Sequence, residues 1–202
     1  MIIGVSGVAG SGKDTFYSIL SSKINFKQYS LADELKREVQ FWCKEHYGID
    51  PLNCSRGEKE IIRPFLVFHG SLKRRASSGR YWIEKISNKI LNDKEKNKII
   101  TDIRYDDFEN DEVSWLKEEL NGVLVHVSQY KIKDVVSKRE WPKVVKDKVL
   151  KEPANEEEAR NDPKIREKAD FKVCWPRKRS PKDLEKELSP YVEEFMFQAK
   201  LY

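Results

Sequence analysis

The stretch Gly7–Thr15, GVAGSGKDT, constrains this chain more than any other. It follows an apolar run, Met1 to Ser6, that reads as a short buried strand, and it opens a segment from Lys13 to Ser22 with helical character. A strand, a glycine-rich turn and a helix in that order, with Gly, four residues, Gly and Lys at the Walker A spacing, make a cradle for phosphates. Gly7, Gly10 and Gly12 permit a tight turn around Ser11 whose amide N–H groups point inward, and the helix that follows adds its positive end. Lys13 then reaches the β and γ phosphates of ATP. Asp14 stands where Ser or Thr normally offers a hydroxyl to Mg²⁺, and Thr15 comes one place later, so the residue nearest the metal stays open between them.

The rest of the chain reads as one α/β domain over residues 1–202, a length that suits a single core with a small insertion. Phe26 to Ser30 is a second candidate strand, followed by a helix in which Leu31, Leu35, Val39 and Trp42 recur at helical spacing until Gly48 closes it. From Ser55 to Asn92 the pattern is helical, with a cation-rich loop expected around FHGSLKRRASSGR. Lys98 to Ile103 and Gly122 to Ser128 read as parallel strands joined by a helix from about Glu109 to Leu120. Tyr130 to Asp162 lacks a sheet-like apolar run, carries charges of both signs and reads as a mobile, solvated insertion. Asp170 to Trp175 supplies a last strand and Pro181 to Leu201 a closing helix.

Two further motifs carry chemistry. KIITDIR ends a buried strand in Asp102, which puts a carboxylate at the carboxyl edge of the sheet beside the phosphate loop, where open α/β sheets bind ligands. Asp102 and Asp14 are therefore the metal candidates, with Asp102 acting through water, and Arg104 is placed to neutralise a phosphate in the bidentate manner of a guanidinium. The cationic set Arg63, Lys73, Arg74, Arg75 and Arg80, with Tyr81 and Trp82 behind it, marks a region where a nucleotide acceptor could lie, although Trp82 equally fits a buried helix face. In the insertion, Arg139 and Arg160 are the candidates for bringing positive charge to the transferring phosphoryl group.

Composition narrows the partners. A net charge of +5 fits an anionic ligand, yet 36% charged residues, many mixed in sign along helices, also describe an ordinary solvated surface. Cys43, Cys54 and Cys174 show neither a CxxC pair nor a nearby His pattern, so a zinc site and a disulfide framework are not expected and a reducing compartment is. The apolar start lacks a basic leader, and no stretch has the length of a membrane span.

GSGKDT with Asp after the loop lysine, YSLADELKREV, IIRPFLVFHGSLKRR before YWIEKI, and IITDIRY together resemble the phage-type deoxynucleoside monophosphate kinases, a branch of the P-loop kinases related to animal phosphomevalonate kinase. The resemblance covers most of the chain. It implies a parallel sheet of about five strands flanked by helices, with an acceptor monophosphate region at 31–97 and a lid-like insertion at 129–162. It implies ATP and Mg²⁺ as cofactors and transfer of the γ-phosphoryl group to a deoxynucleoside 5′-monophosphate, a phosphotransferase with a phosphate-group acceptor. Carried over residue by residue are Lys13, Asp14, Asp33, Arg63, Arg75, Asp102 and Arg104. With the candidates read from the residues themselves, Lys13, Arg104 and Arg139 form the expected catalytic set, Arg139 and Arg160 are expected on ATP beside the loop, and Asp33, Lys36, Arg63, Arg75, Arg80, Trp82 and Arg104 are expected at the acceptor. The sequence departs from the family after Arg104, where Tyr105 is followed by Asp106, Asp107 and Phe108 instead of an aromatic, Pro, Asn and Glu. Where the family has Gly-Arg before the Trp helix, Arg74 and Arg75 stand here, so the register of the key arginine is open among Arg74, Arg75 and Arg80.

The partners expected are small-molecule nucleotides, in the cytoplasm, or the host cytoplasm for a phage protein. No stable nucleic-acid complex and no membrane are expected, and a homodimer is admitted. Other small-molecule kinases on the same scaffold, acting on phosphomevalonate or dephospho-coenzyme A, share every phosphate-handling residue. A nucleic-acid-dependent ATPase fits less well, because motor ATPases place an acidic pair where Asp102 is followed by Ile103 and Arg104.

Overall fold

The computed structural model describes residues 1–137, 143–177 and 184–201, with the backbone alone for 135–137 and 143–145. Strand β1 (Ile2–Ser6) lies at the centre of the sheet, paired in parallel with β3 (Lys98–Ile103) on one side and β4 (Val123–Ser137) on the other. β2 (Lys27–Tyr29) lies outside β3 and β6 (Phe171–Pro176) outside the first half of β4, both parallel to their neighbours. A parallel sheet in the order β2-β3-β1-β4-β6 results. Nearly all of β1 and all of β3 is buried, because helices cover both faces of the sheet.

On one face α1 (Lys13–Lys23) and α7 (Leu184–Gln198) bury Phe16, Leu20 and Phe195 against Ile3, Val125, Val127 and Trp175. On the other, α4 (Arg80–Asn92) buries Ile83, Ile86 and Ile90 against Ile100, Ile103, Trp115 and Leu116. Burial of one such aliphatic side chain is worth about 1.5–3 kcal/mol. Among the described residues no helix is long and apolar enough to cross a membrane.

Helices α2 (Leu31–Tyr47) and α3 (Arg56–Ala76) pack with α4 at the carboxyl side of β2 and β3. Gly48, at φ 64°, ends α2 in the left-handed conformation that glycine tolerates. Glu38 of α2 ties the three helices together by accepting hydrogen bonds from His69 of α3 and from Tyr81 and Lys85 of α4. Burial alone would raise its carboxyl, but these three donors hold it down at about 2.

Three expected segments differ from the structure. The cation-rich stretch FHGSLKRR is not a loop: α3 runs through it, and only Ser77, Ser78 and Gly79 separate α3 from α4. Gly70 lets α3 close on Leu35 of α2, and Lys73, Arg74 and Arg75 fall in the last turn, where cations favour the negative end of a helix. The helix expected from Glu109 to Leu120 shrinks to a short α5 (Glu112–Ser114) and a π-helical turn (Trp115–Glu119). The described residues between 130 and 162 do not form an unstructured insertion. The second half of β4 pairs antiparallel with β5 (Lys143–Leu150) as a hairpin arm, and α6 (Glu156–Lys168) follows. Lys133 faces Asp147 and Asp134 faces Lys146 across the ladder. Opposite charges set directly across a ladder support a ribbon without an apolar face, which hides its period from a hydrophobicity reading.

The turn after β3 is fixed by buried charge. Arg74 reaches from α3 to bind Asp111 through both guanidinium nitrogens, at 2.9 and 2.8 Å, and lies 3.7 Å over the Tyr105 ring. Asp111 in turn accepts from the amides of Asp107, Phe108 and Glu112. Glu112 accepts from the amides of Arg104 at 2.6 Å and Tyr105 at 3.1 Å. Burial lifts the Glu112 carboxyl to about 8, against the attraction of Arg74. Replacing Asp111 by Ala takes both short hydrogen bonds from buried Arg74 and leaves it only the 3.4 Å contact to Glu112, so the free energy of unfolding in urea is expected to fall by roughly 3–5 kcal/mol. A loss below about 1 kcal/mol, the range of exposed pairs, would contradict a buried, turn-fixing role.

Candidate active site

The phosphate loop grows out of β1. Gly7 sits at φ 133° with no room for a Cβ against the Val127 carbonyl of β4, and a Cβ at Gly12, at φ 98°, would lie 2.7 Å from the Trp175 ring. Only glycine fits both places. Trp175 on β6 closes the loop from below, donating its indole N–H to the Ser11 carbonyl at 3.0 Å. Ser11 Oγ is buried and has no hydrogen-bond partner among the described residues. A donor left without a partner at the base of a turn of amides suits an incoming anion.

Lys13 folds back into this loop, with Nζ donating to the carbonyls of Gly7 at 2.6 Å and Val8 at 3.1 Å. Burial first and the Arg104 charge second lower its pKa to about 8, against the opposing pull of Glu158, Asp14 and Asp102. Two cations that disfavour each other thus face one place, an arrangement that an anion relieves. Arg104 is exposed at the end of β3 and its guanidinium makes no hydrogen bond with a described residue.

Asp102 performs a task that its position alone does not announce. Its carboxylate accepts from Ser30 Oγ at 2.9 Å and from the amides of Leu31 at 2.9 Å and Ala32 at 2.7 Å. It therefore caps the N-terminus of α2, alongside Ser30, and satisfies donors that the helix leaves open. A carboxylate has about four lone-pair sites, so this cap leaves little for a metal beyond one water-mediated contact. Asp14 is exposed, and no group of three or more metal-ligating side chains converges among the described residues. The donors fit a metal that arrives with phosphates and keeps most of its water, the habit of Mg²⁺.

Other expected residues scatter. Asp33 and Lys36 pair at 2.7 Å in the first turn of α2, beside the Asp102 cap. Arg63 holds Glu60 of its own helix through both Nε and Nη2, and the charge of Glu158, beside the phosphate loop, adds a smaller pull that also raises its pKa. Arg74 is committed to Asp111, and Arg75 is exposed on the outer side of α3. Arg80 is engaged by Glu119 of the π-helical turn, and Trp82 is buried, its N–H donating to the Gly70 carbonyl. Arg80 is held by a surface ion pair and Trp82 by the core, so neither is free for an acceptor in this arrangement. Arg160 binds Asp107 in the turn after β3 and not the phosphate loop. Arg139 lies outside the described residues.

Three participants escaped the sequence reading. Glu158, in the first turn of α6, accepts from the amide of Ala9 at 3.0 and 3.2 Å, so a carboxylate occupies one of the cradle's own donors. Lys151 brings Nζ against Gly10. Arg177 joins it at the base of the arm, in a cavity of about 330 Å³ that Tyr130, Lys131, Lys133 and Pro153 also line. Asn155 and Glu158 carry a helix-start signature, with Asn155 capping the Glu158 amide, but nothing in the sequence aims that glutamate at the loop.

No protein-family model and no curated protein matches the sequence. Among solved structures the fold is similar to dephospho-CoA kinase from Campylobacter jejuni (19% identity, 96% of each chain, TM-score 0.43). It is also similar to shikimate kinases from Aquifex aeolicus (20% identity, 96% of this chain and 98% of that one, TM-score 0.41) and Acinetobacter baumannii (15% identity, 100% and 95%, TM-score 0.46). These likenesses assign neither a family nor a substrate.

Because Glu158 competes for an amide of the cradle, Glu158→Gln is expected to tighten binding of inorganic tripolyphosphate about tenfold, the worth of one charge-assisted hydrogen bond. Calorimetric titration reads this directly. Unchanged or weaker binding would mean that the carboxylate does not stand in the anion's way.

Proposed function

We propose that this chain is an ATP-dependent kinase that phosphorylates a small phosphorylated acceptor, and that the acceptor is a deoxynucleoside 5′-monophosphate. The observation that carries the reading is the meeting of Lys13 and Arg104 at the mouth of a glycine-built amide cradle. Phosphoryl transfer needs little covalent help from protein groups, and positioned positive charge supplies most of the catalysis.

In this reading the triphosphate enters the cradle, takes the Ala9 amide from Glu158, and draws Lys13 away from the Gly7 and Val8 carbonyls onto the β and γ phosphates. The cavity beside Lys151 and Arg177 lies next to the cradle and receives the nucleoside of the donor. The acceptor monophosphate lies between Arg104 and Arg63, with Asp33 and Lys36 at its edge. An oxygen of the acceptor phosphate attacks the γ phosphorus, the bond to the β-phosphate oxygen breaks, and ADP leaves with that oxygen's charge. Mg²⁺ would be held through water by Asp102 and Asp14 and would screen the phosphate charge. Arg104 acts at the transferring group and Lys13 on the departing diphosphate, while the Asp102 cap keeps α2 against the strand edge. The deoxynucleotide as acceptor is supported by the joint occurrence of GKDT, YSLADELKREV and IITDIRY.

ADP release measured in parallel with dTMP, dGMP, dCMP, dAMP, phosphomevalonate and dephospho-coenzyme A tests both levels. Turnover with at least one deoxynucleoside monophosphate is expected, and Lys13→Ala should lower it by on the order of 10² or more without loss of fold. Activity confined to a non-nucleotide acceptor would overturn the acceptor and leave the kinase standing. Near-wild-type turnover in folded Lys13→Ala would overturn the phosphate-loop role.

A further inference from the structure

Helix α3 carries an apolar stripe that its own chain does not cover. Ile61, Phe65, Phe68 and Leu72 recur at alternating spacings of four and three residues, the seam spacing of helices that pack lengthwise on a partner. Ile61 is 69% exposed, Phe68 66% and Leu72 53%. The buried side of the helix is a different one, marked by Ile62, Gly70 and Arg74. Trp42 of α2 stacks on Phe65 with ring centroids 4.6 Å apart, and Tyr47 meets Trp42 at 5.1 Å, so the patch continues onto α2.

With about 150–250 Å² for each aromatic side chain, these six residues expose on the order of 600 Å² per copy. That is at the upper end of what a monomer shows, and with its polar border it comes near the ~800 Å² per partner of a stable interface.

The charges at the ends of the stripe indicate what covers it. Extending the same spacing by one step reaches Glu58 in the first turn and Arg75 in the last. If a second α3 lies antiparallel across a two-fold axis between Phe65 and Phe68, Ile61 meets Leu72 of the second copy, Phe65 meets Phe68, and Glu58 meets Arg75. A parallel pairing would set Arg75 on Arg75 and Glu58 on Glu58. The surface is thus complementary to itself in one direction, as an isologous interface must be. Arg75, exposed and without a hydrogen bond to a described residue, has a partner only in this arrangement.

We propose that the chain forms a two-fold homodimer through antiparallel packing of α3 on α3, with Trp42 and Tyr47 of α2 at the margin. The seam lies on a different side of α3 from Ser71, which faces Glu157 of α6 at 3.1 Å, so each copy keeps its own cleft.

Sedimentation equilibrium over a concentration series up to about 100 μM, enough to complete a dimer of micromolar affinity, tests the interface. Wild type is expected at twice the 23.8 kDa chain mass and Phe68→Glu, with unchanged helical circular dichroism, at the chain mass. Glu58→Arg alone and Arg75→Glu alone should each raise the dissociation constant about tenfold or more, and the double exchange should restore it to within about threefold. A wild type that stays monomeric overturns the dimer. A dimer indifferent to Phe68→Glu overturns the seam, and a double exchange that restores nothing overturns the antiparallel register.

Discussion

The carboxylate of Asp102 holds the cleft together. It ends a fully buried strand, beside the strand that feeds the phosphate loop, and it takes three hydrogen bonds from Ser30 and the first turn of α2. One side chain thereby ties the start of α2 to the strand edge beside β1 and α1. The helix end supplies donors that must be satisfied somewhere, and a charged acceptor at the sheet edge satisfies them more firmly than water would. Lys13 and Arg104 owe their closeness to the same parallel pairing, because β1 and β3 end at the same edge.

A second frame is built from α6, which carries little apolar surface and is held by polar contacts on several sides. Glu158 meets the Ala9 amide, Glu157 accepts from Ser71 and Tyr105, Asn161 clips the Asp106 amide and the Asp107 carboxylate, and Asp162 meets His126 of β4. The helix therefore touches the phosphate loop, the acceptor helix and the turn after β3 at once. Such a contact set exchanges hydrogen bonds at small net cost, since each is worth about 1 kcal/mol once its groups can find water or a ligand instead. A phosphate entering the cradle changes the one contact, Glu158 to Ala9, that links α6 to the loop.

The loop and the strand edge were legible in the sequence because their physics is local. Glycines at positive φ, a lysine at fixed spacing and an apolar strand are all contained within Met1 to Thr15, and β3 shows itself through the isoleucines Ile99, Ile100 and Ile103 around its strand-end Asp102. What stayed hidden depends on contacts between distant segments. Arg74 and Arg75 are indistinguishable along the chain, yet one is buried against Asp111 and the other faces out, because a helix turns by about 100° per residue. The stretch FHGSLKRR reads as a loop by composition, but Gly70 is there to admit Leu35, and the cations sit at a helix end that favours them. The hairpin arm has charge on both faces, and Glu158 meets its amide from 149 residues away.

Lys13, desolvated and crowded by Arg104, has its pKa lowered to about 8 in the free protein, and in the proposed function the negative charge of bound ATP raises it. Between those two values binding must take up a proton, so affinity falls as pH rises through about 8, by up to tenfold per unit. Calorimetric ATP titrations at pH 9 in buffers of different ionisation enthalpy count that proton. An uptake approaching one proton per ATP is expected at pH 9, little uptake at pH 7, and none at either pH in Lys13→Met; equal and negligible uptake at both pH values in the wild type would contradict a Lys13 that waits for phosphate charge.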